Sequence, residues 1–148
     1  MADVIYNAFK VNQMKAKFPD LSVGTNIKVA LVNATYAAIA DEVKKDTHTT
    51  FADVVANEIT GTAYTARGQQ ITSPTVTQDD TNNLAKFDFA DTTWAASTIT
   101  ANGAVVYLDS GVNSTSYLIA YIDFVGTKSS SAGNFTIQWN AGGVVTLT

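Results

Sequence analysis

The sequence predicts a mainly β protein: a single antiparallel β-sandwich, jelly-roll or immunoglobulin-like in arrangement, preceded by one N-terminal α-helix. Three observations predict it. Beyond residue 58, Thr, Gly, Asn and Asp punctuate short apolar runs, the pattern of short antiparallel strands joined by turns. Phe135-Thr136-Ile137-Gln138-Trp139-Asn140 alternates large apolar with polar residues, which assigns Phe135, Ile137 and Trp139 to the core. Val4, Ala8, Val11, Met14 and Phe18 recur at spacings of three and four, which places them on one side of a helix.

The 148 residues are the size of one domain, with a helix over 4–18 and a sandwich over 26–147. Pro19 disfavours continuation of the helix past Phe18, and Lys10, Lys15 and Lys17 lie towards its C-terminal half, where cations suit the helix dipole. Ile27 to Val32 has a period of two and is the first long strand. Tyr36 to Val55 is irregular and reads as a loop with one helical turn. A short element at Phe51 to Val55 follows Thr49 and Thr50, either of which suits a cap, and Phe51, Val54 and Val55 then share a face.

Further strands are expected near Gln70 to Val76, Leu84 to Phe89, Ala104 to Leu108, Tyr117 to Phe124, Phe135 to Asn140 and Val144 to Leu147. Asp109-Ser110-Gly111-Val112-Asn113-Ser114 predicts a hairpin with a longer loop, and Ala141-Gly142-Gly143 a second hairpin. Thr127 to Asn134 has the composition of a flexible surface loop.

Composition narrows the function. Nine Lys and Arg against thirteen Asp and Glu give a net charge of −4, which lacks the positive charge that phosphate-backbone binding requires, so no nucleic-acid partner is expected. No apolar run approaches the roughly 20 residues that span a bilayer, and Met1-Ala2-Asp3 lacks the basic start of a secretory signal, so no membrane partner is expected either. With no cysteine, disulfides, thiolate metal sites and cysteine nucleophiles are excluded. A hydrophobic fraction of 46% with 15% charged residues is enough for a packed core.

Nothing in the sequence assembles a catalytic set, and no catalytic, cofactor-binding or metal-ligating residue is assigned. His48 is the one histidine and sits in the polar run Asp46-Thr47-His48-Thr49-Thr50, where a solvated residue is the simpler reading. Asp79, Asp80, Asp88 and Asp91 supply oxygen ligands of the kind calcium takes, but their spacing fits no EF-hand loop, and turn and capping roles account for them better. Glu42 and Glu58 are the two glutamates, both in expected loops, and a glycoside-hydrolysing pair is not assigned to them. The glycines form no phosphate-binding loop. Tyr6, Tyr36, Tyr64, Tyr107, Tyr117, Tyr121, Trp94 and Trp139 are available for sugar stacking, but in a sandwich such residues are mostly core; Trp94, after the turn-like Asp91-Thr92-Thr93, covers an edge or the bottom of it.

One feature points to partners. If the helical stripe faces the sheet, Ile5 and Phe9 project roughly 140° away from its centre and need another surface. Either they fill a cleft of their own domain or they form an oligomer or lattice contact. Tyr117 to Ile122 is apolar on both faces, which suits a strand between the core and either the helix or a neighbouring subunit.

The order of segments carries a resemblance. Ile27-Lys28-Val29-Ala30-Leu31-Val32 is followed by a His- and Thr-containing loop leading to Phe51, then Glu58-Ile59-Thr60-Gly61-Thr62-Ala63-Tyr64 and Phe87-Asp88-Phe89-Ala90-Asp91-Thr92-Thr93-Trp94. Ala104-Val105-Val106-Tyr107-Leu108-Asp109-Ser110-Gly111, Leu118 to Phe124 and Phe135 to Asn140 complete it. Over nearly its whole length the chain resembles small virion structural proteins of tailed bacteriophages, found among head and tail components. The resemblance implies a non-enzymatic role in the virion, assembled in the host cytoplasm. Its favoured form is a capsid decoration (cement) protein bound to the major capsid protein and to copies of itself, as a homo-oligomer such as a trimer. The alternative is a tail, neck or fibre component with host-surface or glycan binding.

Overall fold

The computed structural model describes residues 3–148. The protein is mainly β, with two antiparallel sheets packed together as a sandwich and a small helix near the N-terminus. The larger sheet has the order β1-β7-β6-β2-β3 and the smaller β4-β5-β8. Its strands are β1 (Val4–Ile5), β2 (Ile27–Val32), β3 (Gln69–Gln70), β4 (Thr75–Asp79), β5 (Leu84–Asp88), β6 (Thr92–Leu108), β7 (Leu118–Ile137) and β8 (Val145–Leu147). Among the described residues three α-helices accompany them, α1 (Asn7–Met14), α2 (Ala34–Ala37) and α3 (Asp41–Thr47), with short 3-10 turns such as Phe51–Asp53 and Val55–Asn57.

β2 lies where its alternation predicts, and pairs from Ile27↔Leu108 to Val32↔Gly103. The middle of the sheet is buried on both sides: Ala30, Val105 and Tyr121 sit in one cross-strand row, Val29, Val106 and Ala120 in the next, all inaccessible. Helices and turns cover the first of these faces. Tyr36 of α2 meets Tyr121 edge-on at 5.6 Å, and Phe51 stacks on Tyr107 at 4.3 Å. One continuous hydrophobic cluster joins this layer to Phe87 of β5 and Val145 of β8. Leu118 to Ile122 therefore finds cover on both faces within its own chain, while Tyr117 stays partly exposed.

Helix 4–18 is corrected at both ends. Val4 and Ile5 form a strand on the edge of β7, paired with Tyr121 and Ala120, so the large sheet begins before residue 26. At the other end Ala16 adopts a left-handed φ of 52°, with Ala16 N–H donating to Gln13 O and Lys17 N–H to Asn12 O. This Schellman closure ends the helix before Phe18, which folds back edge-on against Phe9 at 5.0 Å.

The interior face of the helix is also reversed. Phe9 is 1% exposed whereas Met14 is 91% exposed, and Val11 is exposed as well. At about 100° per residue Val11 and Met14 lie about 200° and 140° round from Phe9, so burying one large ring turns both outward. The regular spacing of smaller side chains loses to the single residue with the most area to bury.

Further departures are local. The region after β2 holds α2 and α3 instead of one helical turn, and the cap before Phe51 is Thr50, in a reciprocal capping box with Asp53. Phe51 and Val54 are buried, but Val55 is not. Gln70 to Val76 is divided between β3 and β4, in different sheets. The turn at Ala141-Gly142-Gly143 forms, with Gly143 N–H donating to Asn140 O, but it does not close a hairpin: β8 leaves for the small sheet and pairs with β5. Thr127 to Asn134 is no free loop, because it lies within β7 opposite β6. Phe135 to Ile137 is the far end of that same strand, and Trp139 beyond it is only half-buried.

Candidate interaction surface

The long β6–β7 ribbon is the element that reaches beyond the packed middle of the sheet. Its register runs without a shift from Gly103↔Asp123 to Val106↔Ala120 on the inward side and from Ala101↔Lys128 to Ile99↔Ser130 on the outward side, with smaller irregularities beyond each. Between those pairs β6 places one residue, Asn102, and β7 places four, Phe124 to Thr127, so β7 throws out a wide bulge. Val125 at its crest has φ 52° and is 88% exposed, and Gly126 follows at φ 108°. The bulge is held at both feet: Asp123 Oδ1 accepts Val125 N–H at 2.8 Å, and Asn102 Nδ2 donates to Thr127 Oγ1 at 3.0 Å.

β1 covers β7 only at Ala120 and Tyr121, and Asp3 adds a carboxylate that accepts Asp123 N–H at 2.8 Å. Beyond the bulge no strand among the described residues pairs with the outer edge of β7, which runs on to Ile137. Beside this edge lies an open groove of about 450 Å³. Phe124 and Phe135 are 6.1 Å apart across its floor, and Asp123 and Lys128 stand among its lining residues. An unpaired edge presents main-chain donors and acceptors that can take an added strand, with side-chain pockets setting the choice of strand. A second exposed region is the outer side of α1, where Val11 contributes to a groove with Tyr117, Thr49 and Thr50.

The two residues assigned to a partner contact are placed otherwise than their spacing suggests. Phe9 is in the core and Ile5 is half-buried in β1 against it. The outward positions on α1 are Val11 and Met14.

The polar candidates are dispersed. Asp79 pairs with Lys86 at 2.7 Å and accepts Asn82 Nδ2–H and the Thr81 and Asn82 amides, and the Lys86 bond above all holds its carboxyl well below the usual range. Asp80 accepts from Gln78, Asp88 from Phe89 N–H, and Asp91 from Trp139 N–H. Asp79 caps the turn that follows it, whereas Asp91 makes a long-range tie to the end of the sheet, and among the described residues no three such side chains converge as metal ligands. Glu42 pairs with Lys45 on α3. Glu58 accepts Tyr64 Oη–H at 2.8 Å and Arg67 N–H at 2.6 Å, and burial raises its pKa. His48 is not solvated as expected: its ring is half-buried, with Nδ1 3.0 Å from Tyr36 Oη. Trp94 is buried between Tyr64 and Phe135.

Two buried charges had no sequence signal. Lys44 of α3 is wholly buried, donating to Ile39 O at 2.6 Å, Ala37 O at 3.2 Å and Asp41 Oδ1 at 3.1 Å, with Nζ 4.2 Å from the Tyr121 ring centre. Asp109, at the start of the β6–β7 loop, binds Arg67 through Nε and Nη2 and Lys28 at 2.7 Å. Arg67 continues to Asn113 and Ser116, which fastens that loop to the body.

No helix among the described residues is long and apolar enough to cross a membrane. Compared with protein-family models, curated proteins and solved structures, the chain matches none of them.

Proposed function

We propose that the protein is a non-enzymatic virion structural component: a capsid decoration (cement) protein that binds the outside of a phage head and stabilises the shell. The observation that carries this reading is the free edge of β7 with its anchored bulge, a surface suited to main-chain pairing with a neighbouring subunit and unsuited to turnover. The resemblance of the ordered β segments to phage virion proteins supplies the setting. The partners are the major capsid protein and further copies of the chain, and the location is the virion.

The mechanism is mechanical. Each copy buries its edge and the Val125 crest against the shell, and an oligomer engages several sites at once, so the second and third contacts form at high effective concentration. Shell subunits bridged in this way separate less readily when heated or diluted. The test is to add the purified protein to shells assembled from the major capsid protein alone. Co-sedimentation at a fixed ratio and a higher disruption temperature are expected. Absence from shells together with binding to isolated tails or host glycans would overturn the head assignment in favour of a tail, neck or fibre component.

A further inference from the structure

Three side chains on the helical layer form one chain of hydrogen bonds. Tyr6 Oη is 2.7 Å from Tyr36 Oη, and Tyr36 Oη is 3.0 Å from His48 Nδ1. Both tyrosines are fully buried, and among the described residues Tyr6 Oη has no second partner. The chain joins three parts of the fold: Tyr6 links β1 to α1, Tyr36 lies on α2, and His48 follows α3. Beside it Asn7 Nδ2 donates to Asp46 Oδ1 at 2.8 Å, a second tie between the N-terminal segment and α3.

Such a chain has a direction. A neutral imidazole protonated on Nε2 offers Nδ1 as an acceptor. Tyr36 then donates to His48, its oxygen accepts from Tyr6, and both hydroxyl protons are used. With Nδ1 protonated, His48 donates to the Tyr36 oxygen, and the single bond between the two hydroxyls can use only one of their two protons. One tyrosine hydroxyl proton, that of Tyr6 or of Tyr36, is then left inside the core without an acceptor in the chain, which carries the desolvation cost of an unsatisfied group.

We propose that Tyr6, Tyr36 and His48 form a pH-dependent latch, which holds β1 and α1 on α2 and α3 while the imidazole is neutral and loosens them when it is protonated. The surroundings of the ring agree. Burial lowers the His48 pKa, with Asp53 acting the other way and Lys44 reinforcing the lowering. Lys45 and Asp46, its charged neighbours in sequence, are engaged by Glu42 and Asn7. Because the folded pKa lies below the unfolded one, the contribution is complete above the unfolded value of about 6.5 and is lost as pH falls through the folded value. The region that loosens includes the strand that caps part of the β7 edge.

The direct test is ¹⁵N NMR of the His48 ring at about pH 8, where the Nε2–H tautomer is expected and an Nδ1–H tautomer overturns the proposal. Between about pH 8 and pH 5.5 the wild-type melting temperature is expected to fall by about 3 °C more than that of His48→Gln. Native-state amide exchange, corrected for intrinsic rates, is expected to rise about tenfold at Tyr6 and Phe9, whose amides donate to Ile119 O and Tyr6 O. Tyr36→Phe breaks the chain and is expected to lose the same pH dependence. Equal pH dependence in wild type and His48→Gln, or an acid-induced rise spread evenly over the chain, overturns the latch. If His48→Gln fails to fold, the wild-type tautomer and exchange pattern still decide.

Discussion

A methyl group on Gly103 would lie 2.6 Å from Cε2 of Tyr121 and 2.8 Å from its hydroxyl, so the missing side chain on β6 is what allows the tyrosine ring on β7 to lie across the sheet. The ring in turn receives Tyr36 and the Lys44 ammonium. Gly103→Ala is therefore expected to destabilise the fold by about 2 kcal/mol through overpacking. Gly133→Ala is the control, since its nearest new contact is 3.7 Å away and its φ is ordinary; a urea midpoint close to wild type is expected there. Equal effects at the two positions would contradict the packing argument.

Asp109 titrates in a direction set by its partners. Burial alone would raise its pKa, but the Arg67 and Lys28 hydrogen bonds and the Gly111 amide outweigh that and hold the carboxyl well below its usual range. Its stabilising contribution is thus complete above the unfolded value of about 3.9 and is lost as pH falls below it. Asp109→Asn should cost about 2 kcal/mol at neutral pH and flatten the acid limb of the stability curve. A variant whose stability between about pH 6 and pH 2 runs parallel to wild type would show that the cluster contributes nothing to folding.

Lys44 closes the turn between α2 and α3 from inside. Lys44→Met keeps most of the volume but leaves the Ala37 and Ile39 carbonyls without their buried donor. A loss of about 2 kcal/mol is expected in chemical denaturation, with Asp41→Asn costing less because its carboxylate is largely exposed. The reverse order of the two variants would assign the stabilisation to the ion pair instead of the carbonyl cradle.

On α1 and the β7 bulge, substitutions separate the core from the surface. Phe9→Asp places a charge in a site that is 1% exposed and should abolish folding, as followed by circular dichroism. Met14→Asp and Val125→Asp should leave melting temperatures within about 2 °C of wild type, because both side chains face solvent. Of these two, Val125→Asp is expected to weaken shell binding in a sedimentation assay. Unchanged binding by Val125→Asp would remove the bulge from the interaction surface.

These contrasts show what the sequence makes legible. β2, β5 and the inward half of β7 are recognisable because burial on a pleated sheet writes itself as apolar runs or alternation. The hairpin after Leu108 is legible from its turn residues. Phe135 to Ile137 at the far end of β7 is legible by alternation as well, but Thr127 to Asn134, between it and the inward half, is not, because that mostly exposed stretch needs no apolar alternation and has the composition of a loop. Helix α1 is legible as a helix, but its orientation depends on Phe18 returning to meet Phe9 after a left-handed Ala16, a closure usually made by glycine or asparagine. The Tyr6–Tyr36–His48 chain depends on contacts thirty and twelve positions apart, and Lys44 on the distant Tyr121 ring, which no local pattern encodes.

The proposal that the protein decorates a phage shell is tested most directly by its copy number in purified particles of a phage carrying its gene, measured by quantitative mass spectrometry against the major capsid protein. One copy per capsid subunit, or one per few, is the predicted result. A handful of copies per particle would contradict it and move the protein to the tail, neck or fibre.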